Sequence, residues 1–303
     1  MNDETHARIL VATDLSQPGR AAVRAGALLA QRSDASVTLM TVVQALPVPV
    51  PETLGRGEEV ERELQRRARE ELAELRDEEL GRNTNVSLLD VVHPSPAAAI
   101  VEASRATGAD TVVVAHQGKG AVERLLYGSV TEKVVRHAPC SVLCVKRVPK
   151  PGARPFARVL VAVDFSDEAP NACRVAARWA RAFGSSVHLL HIASFVDVTI
   201  LATVGASGGA ELEDYQSEIV ASAERDLAAL RREHFAGIDR VTHEVVVDPS
   251  PPLAICQRAE RDVDLVVVGS RGAGAVAHFF MGSVAERVVR HARVDVLVAR
   301  SES

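Results

Sequence analysis

Short unbroken apolar runs alternate along the chain with longer amphipathic stretches. Ile9–Ala12 is apolar throughout and is bounded by Asp14, the pattern of a strand buried on both faces. Arg20–Gln31, rich in Ala and Leu, predicts a helix, and Val37–Val43 a second strand. Pro47, Pro49 and Pro51 then force an irregular loop. In the helix predicted over Glu58–Leu80, the residues Val60, Leu64, Ala68, Leu72 and Leu75 recur at spacings of four and three. They share one face, while Arg and Glu fill the other. Val86–Val92 reads as a strand, Pro96–Thr107 as a helix with Pro in its first turn, and Thr111–Ala115 and Ser141–Val145 as strands. A glycine-rich turn and a helix after Gly128 join the last two.

The same pattern then runs a second time, about 150 residues on. RILVATDLS at Arg8–Ser16 returns as RVLVAVDFS at Arg158–Ser166, SVTLMTVV at Ser36–Val43 as SVHLLHIA at Ser186–Ala193, and VVHPSP at Val91–Pro96 as VVDPSP at Val246–Pro251. GSVTEKVVRHAPCSVLCV at Gly128–Val145 returns as GSVAERVVRHARVDVLVA at Gly282–Ala299. The second copy predicts strands over Val159–Val163, Val187–Ile192, Val241–Val247, Leu265–Val268 and Val294–Val298. Its helices are predicted over Ala169–Phe183, Glu211–His234, Pro251–Arg261 and Ser283–His291. It departs from the first in a longer loop, Ser194–Gly209, read either as a lid or interaction segment or as a tolerated solvated loop. Between the copies, Lys146–Pro155 holds three prolines and a glycine and can continue neither strand nor helix. The expected organisation is a first domain over 1–147, a linker over 148–156 and a second domain over 157–303. Alternating strands and helices make each an α/β, Rossmann-like domain with an open, mostly parallel five-stranded sheet flanked by helices. In such sheets ligands bind beyond the carboxyl ends of the strands, where strand order reverses. Asp14, Asp164, Ala115 and Gly269 form the expected rims of two equivalent sites.

Composition narrows the partners. Aromatics are only 3% of residues, so Val, Leu, Ile and Ala must fill the cores, as suits parallel sheets under Ala-rich helices. A net charge of −5 gives no general attraction to nucleic acid or anionic lipid. The N-terminal MNDETHARILVATD has no apolar signal core and no run is long enough to span a membrane, so a cytoplasmic protein is expected. Cys140, Cys144, Cys173 and Cys256 form no CxxC or zinc-finger spacing and read as buried free thiols.

The chemistry concentrates in Val266–Ser283, VVVGSRGAGAVAHFFMGS, and its counterpart Val112–Ser129, VVVAHQGKGAVERLLYGS. Gly269 ends a buried strand, where the missing Cβ lets a ligand approach. Gly272 permits a positive φ, and Ser283 is the expected N-cap of a helix whose first N–H groups could meet an anion. A tight turn and a capped helix without a ligand would use the same residues. No G-K-[ST] closes the loop, and the glycines follow the fourth strand rather than the first, so neither a Walker A loop nor the dinucleotide fingerprint is present. Asp14 and Asp164 either accept from a base or sugar hydroxyl or cap the following helix. A carboxylate beside polyphosphate would be repulsive, although it could help hold a divalent cation such as Mg2+. Lys119 and Arg271 are phosphate contacts or solvated turn residues. His137 and His291, at helix C-termini, read as caps rather than acid–base groups.

With Gly269-x2-Gly272-x9-Gly282-Ser283 and the GSVxExVxRHA ending of both copies, the chain resembles the universal stress protein (UspA) family in its tandem two-domain form. The resemblance covers about residues 6–146 and 156–299. It implies ATP in a Rossmann-like crevice and a regulatory or protective role in the stress response. Asp164 would face the adenosine, the backbone at Ile192 the adenine edge, and Gly269, Gly272, Gly282 and Ser283 the ribose and phosphates. The first-copy equivalents are Asp14, Val42, Gly118, Gly128 and Ser129. Ala115 stands where the family has the first glycine, and its methyl group would crowd a ligand. The resemblance also implies an intramolecular pseudo-dimer through Ser141–Val145 and Val294–Val298, with a homodimer as a further assembly. No residue answers the need for a positioned general base, so at most slow ATP hydrolysis is expected. The alternative is a nucleotide-free interaction scaffold of the same fold.

Overall fold

The computed structural model describes residues 7–44, 57–81, 85–118, 128–147, 155–193, 209–271 and 281–301. Gly272, Lys119, the proline loop near residue 49 and most of the Ser194–Gly209 loop lie outside them. Two compact units divide the chain, Met1–Pro155 with Arg300–Ser303, and Phe156–Ala299.

The first unit contains β1 (Arg8–Ala12), α1 (Gln17–Ser33), β2 (Ser36–Gln44), α2 (Gly57–Glu79), β3 (Val86–His93), α3 (Pro96–Ala106), β4 (Thr111–Ala115), α4 (Ser129–His137) and β5 (Ser141–Val145). The second contains β6 (Arg158–Val163), α5 (Ala169–Phe183), β7 (Ser186–Ala193), α6 (Gly209–His234), β8 (Val241–Val247), α7 (Pro251–Ala259), β9 (Leu265–Gly269), α8 (Ser283–His291) and β10 (Asp295–Ala299). In the first unit β1 pairs in parallel with β2 and β4, β2 with β3, and β4 with β5. The second unit repeats this, β6 pairing with β7 and β9, β7 with β8, and β9 with β10, again all parallel. The chain therefore builds outward from β1 or β6 on one side, then crosses back to add β4 or β9 on the other. Successive connections leave in opposite directions at that seam, opening a crevice at the carboxyl ends.

The apolar runs lie where their unbroken character requires. Leu10, Leu39, Leu143, Leu160, Leu189, Leu265 and Leu297 are fully buried. Matching polar ties hold the starts of the central strands, for Asp110 Oδ2 accepts from the Arg8 N–H at 2.7 Å and Asp264 Oδ2 from the Arg158 N–H at 3.0 Å. The helices are fastened differently. Arg24 clasps both carboxylate oxygens of Glu79 at 2.8 and 2.9 Å, joining α1 to the end of α2. In the second unit Phe156 packs edge-on to Phe183 at 5.2 Å and against Trp179 at 5.3 Å, so three of the few aromatics form one cluster. All four cysteines are buried and outside any disulfide, and burial pushes the Cys140 and Cys173 thiols up to about 12.

The apolar stripe of α2 is only half used. Leu72 and Leu75 are fully buried, whereas Val60 is 46% and Leu64 43% exposed. The start of the helix meets β3 through polar rather than apolar contacts, for Gln65 Nε2 donates to Asp90 Oδ2 at 3.0 Å. Among the described residues, no helix is long and apolar enough to cross a membrane.

Candidate functional site

In the second unit a cavity of about 480 Å³ opens at the carboxyl ends of β6, β7 and β9. Leu190 and Ile192, two residues apart on β7, project from the same face and form an apolar wall with Pro251 and Ile255 of α7. Asp164, Gly269, Arg271, Gly282 and Ser283 supply the polar rim. Of the residues expected from sequence, Asp164, Ile192, Gly269, Gly282 and Ser283 thus line one space. The apolar wall was not foreseen beyond Ile192, although the alternation of Leu190 and Ile192 on β7 was a usable sign.

Gly282, not Ser283, is the N-cap of α8. It is extended, at φ −63° and ψ 143°, and donates its N–H to the Ser270 carbonyl at 2.9 Å. Ser283 is already the first helical residue, so its hydroxyl caps nothing. The preference for a serine cap rests on the side chain reaching a first-turn N–H. Here the ladder bond to Ser270 fixes the preceding backbone instead. The first N–H to close a helical bond is that of Glu286, to the Gly282 carbonyl at 3.0 Å. Among the described residues nothing accepts from the N–H groups of Ser283, Val284 and Ala285, and all three residues line the cavity. Main-chain donors at the positive end of a helix are of the kind that suits an anion.

Neither aspartate caps a helix directly. Asp164 Oδ1 accepts from the Ser166 N–H at 3.1 Å and from its hydroxyl at 2.6 Å. Asp14 Oδ1 makes the same pair of bonds with Ser16, at 3.1 and 2.5 Å, and Ser16 Oγ in turn accepts from the Gly19 N–H at 3.2 Å as the N-cap of α1. Between each aspartate and its serine stands a bulky residue with positive φ, Leu15 at 64° and Phe165 at 55°. Such a conformation costs about 1–2 kcal/mol for a residue with a Cβ. It recurs in both units because it folds the chain back onto the aspartate. No sequence rule pointed to it, since neither residue is Gly or Asn.

The units differ at the crevice. In the second, α5 starts two residues later in the repeat, with Glu168 as N-cap and no side-chain cap bond. Glu168 forms an ion pair with Arg271 just beyond β9, its side chain 14% exposed and that of Arg271 31%. Arg271 is therefore neither a merely solvated turn residue nor free for phosphate. A Cβ on Gly269 would stand 3.3 Å from the Arg271 carbonyl, so this glycine serves its own turn as well as the cavity. In the first unit the corresponding residues are Pro18 and Gln117. There the loop after β1 and the turn after β4 touch: a Cβ on Gly118 would lie 2.7 Å from Asp14 Oδ2. Val42 lies on β2, Gly128 is the N-cap of α4, and Ser129 is its first residue. Ala115 gives its carbonyl to the Thr131 hydroxyl at 2.7 Å.

His116 occupies the place of Ser270 and is buried. Burial, aided by the charge of Lys146, lowers its pKa from 6.5 to about 3, so it is neutral in the folded protein. The unfolded chain takes up the proton near 6.5. The neutral histidine's contribution is therefore fully present above about pH 6.5 and is lost as pH falls toward 3. Relative to His116→Ser, wild type is expected to lose about 2 kcal/mol between pH 7.5 and 5 in urea unfolding. Equal losses in both proteins would show that His116 is not held neutral.

His93 and His137 make structural hydrogen bonds. His93 Nδ1 accepts from the Ser95 N–H at 2.9 Å, and Asp248 Oδ1 from the Ser250 N–H at 2.7 Å. Two chemically different side chains thus do one job at matching positions, holding the turn before α3 or α7. His137 Nδ1 lies 2.8 Å from the Lys133 carbonyl at the end of α4, as a capping role requires.

The chain thus consists of two α/β units with parallel sheets, and the second carries a crevice with one apolar wall and the start of a helix at its rim. The universal stress protein family matches residues 6–146 and 155–300, and the chain belongs to it. Universal stress protein Rv2005c of Mycobacterium tuberculosis is 32% identical over 303 residues, covering 96% of each chain. A universal stress protein of Mycolicibacterium smegmatis is 29% identical over 295 residues, again with 96% of each covered. Among solved structures, a universal stress protein from Archaeoglobus fulgidus has the same fold, with a TM-score of 0.61 at 20% identity over 97% of this chain and 96% of that one.

Proposed function

We propose that this universal stress protein binds an adenine nucleotide, ATP in the first instance, in the crevice of the second unit, and that occupancy regulates a protective role in the stress response. The observation that carries the reading is the set of N–H groups at Ser283, Val284 and Ala285 facing a cavity whose opposite wall is apolar. At about 480 Å³ the cavity falls within the range of small-ligand sites. The apolar wall of Leu190, Ile192, Pro251 and Ile255 suits a base, and the helix terminus suits phosphate. In this reading Asp164 faces the nucleoside and the backbone at Ile192 the adenine edge. Gly269, Gly272, Gly282 and Ser283 surround ribose and phosphates, and Mg2+ would accompany the phosphates as counter-ion.

Asp14, Val42, Gly118, Gly128 and Ser129 would form a second site of the same kind. The close approach of Gly118 to Asp14 and the methyl group of Ala115 favour weaker binding there. We take 1–147 and 157–303 as the two modules and 148–156 as their linker. Asp164 is the only carboxylate lining the described part of the second cavity, and its Oδ1 is occupied by Ser166. That supports a nucleotide-responsive regulator over an enzyme with a positioned base.

Isothermal titration with ATP, AMP, cyclic AMP and adenosine tests the reading. The expected result is saturable ATP binding with a stoichiometry between one and two. No heat at millimolar nucleotide would remove it and leave an interaction scaffold.

A further inference from the structure

We propose that Glu168 sets the phosphate preference of the second crevice by holding Arg271, so that the ligand's phosphates must compete with a protein carboxylate for this cation. The inference rests on the nucleotide reading given above.

The argument begins with where α5 starts. In the first unit Ser16 caps α1 and the next residues are Gln17 and Pro18. In the second unit the helix begins later, Ser166 is not its cap, and Glu168 takes the N-cap position without bonding to the first turn. Its carboxylate pairs with Arg271 instead, across the seam between β6 and β9. Arg271 lines the cavity, and among the described residues it is the only cation to do so. The Cβ of Glu168 is also near Gly269, only 3.7 Å from where a Cβ on that glycine would stand, so the pair is seated at the cavity's edge.

Two consequences follow from the chemistry. A guanidinium already paired with a carboxylate offers a phosphate little net attraction, because binding must break or share an existing charge-assisted bond. Glu168 also carries a negative charge, which opposes a polyanion at the same edge. The pair therefore penalises phosphate without touching the apolar wall. It lowers affinity for ATP selectively and leaves adenosine unaffected, an instance of specificity by built-in opposition. The first unit, with Pro18 and Gln117, has no such pair to make.

Glu168→Gln tests this directly, since the amide keeps the side chain's shape and the helix start needs no carboxylate there. ATP should bind about three- to tenfold tighter than to wild type, with adenosine unchanged, and the gain should shrink at high salt. Arg271→Gln should weaken ATP binding about three- to tenfold in wild type, because it leaves the Glu168 carboxylate unpaired at the cavity's edge, and in the Glu168→Gln background it should bring ATP affinity back to near the wild-type value. If wild type and Glu168→Gln bind ATP equally while both bind adenosine, this proposal fails and the nucleotide reading stands. If neither protein binds ATP or adenosine, both fail.

Discussion

Ser283→Pro is expected to weaken ATP binding about ten- to hundredfold while the protein stays folded, because it deletes one main-chain donor from the start of α8. A hydrogen bond to a charged group contributes about 1.5–3 kcal/mol, which sets that range. Proline is well suited to the first position of a helix, where its missing N–H has no intrahelical acceptor to lose. The residue before a proline must be extended, and Gly282 already is, at ψ 143°. The substitution thus separates the donor from the scaffold more cleanly than a bulky residue at Gly282, which would disturb the bond to Ser270. Ser283→Ala is the control, removing the hydroxyl and keeping the N–H. Titration of both variants with ATP and thermal unfolding of both check the result. If Ser283→Pro binds ATP as wild type does, with an unchanged melting temperature, the Ser283 N–H does not hold the phosphates.

Leu72→Ala should destabilise the first unit by about 3–5 kcal/mol, and Leu64→Ala by less than about 0.5 kcal/mol. Both leucines belong to the same stripe on α2, and a helical projection places them on one face. Leu72 is fully buried and its truncation leaves a cavity, while Leu64 stands 43% exposed near the start of α2. Urea unfolding of the two variants decides it. Similar losses would mean that the first turns of α2 are covered in solution. The comparison also isolates a general limit of periodicity, which reports which face of a helix is apolar but not which positions along that face its neighbours cover.

The crevice shows the same division. The positions of Asp164, Gly269 and Gly282 at strand and helix ends could be read from the repeat, because a buried run, a turn glycine and an amphipathic helix are local patterns. Ser283 was expected to cap α8 for an equally local reason, the known preference of serine for that position. The helix starts at Ser283 as predicted, but Gly282, tied to Ser270, is its cap, and no local rule contains a partner twelve positions back. The positive φ of Leu15 and Phe165 was likewise hidden, since neither residue type advertises it. Glu168 and Arg271 are 103 residues apart, and nothing in either neighbourhood pairs them.

By itself the sequence determined that this protein is a duplicated α/β chain, where its strands and most helices lie, and which ends of them carry glycine and aspartate. Hydrophobic period and turn chemistry act between near neighbours, so a reader of the chain can see them. Tertiary structure alone decided which apolar residues close the second cavity, which backbone donors open into it, and that Glu168 occupies Arg271. Those outcomes depend on which segments the crossover at the β6–β9 seam brings side by side, and that is settled only when the sheet is assembled.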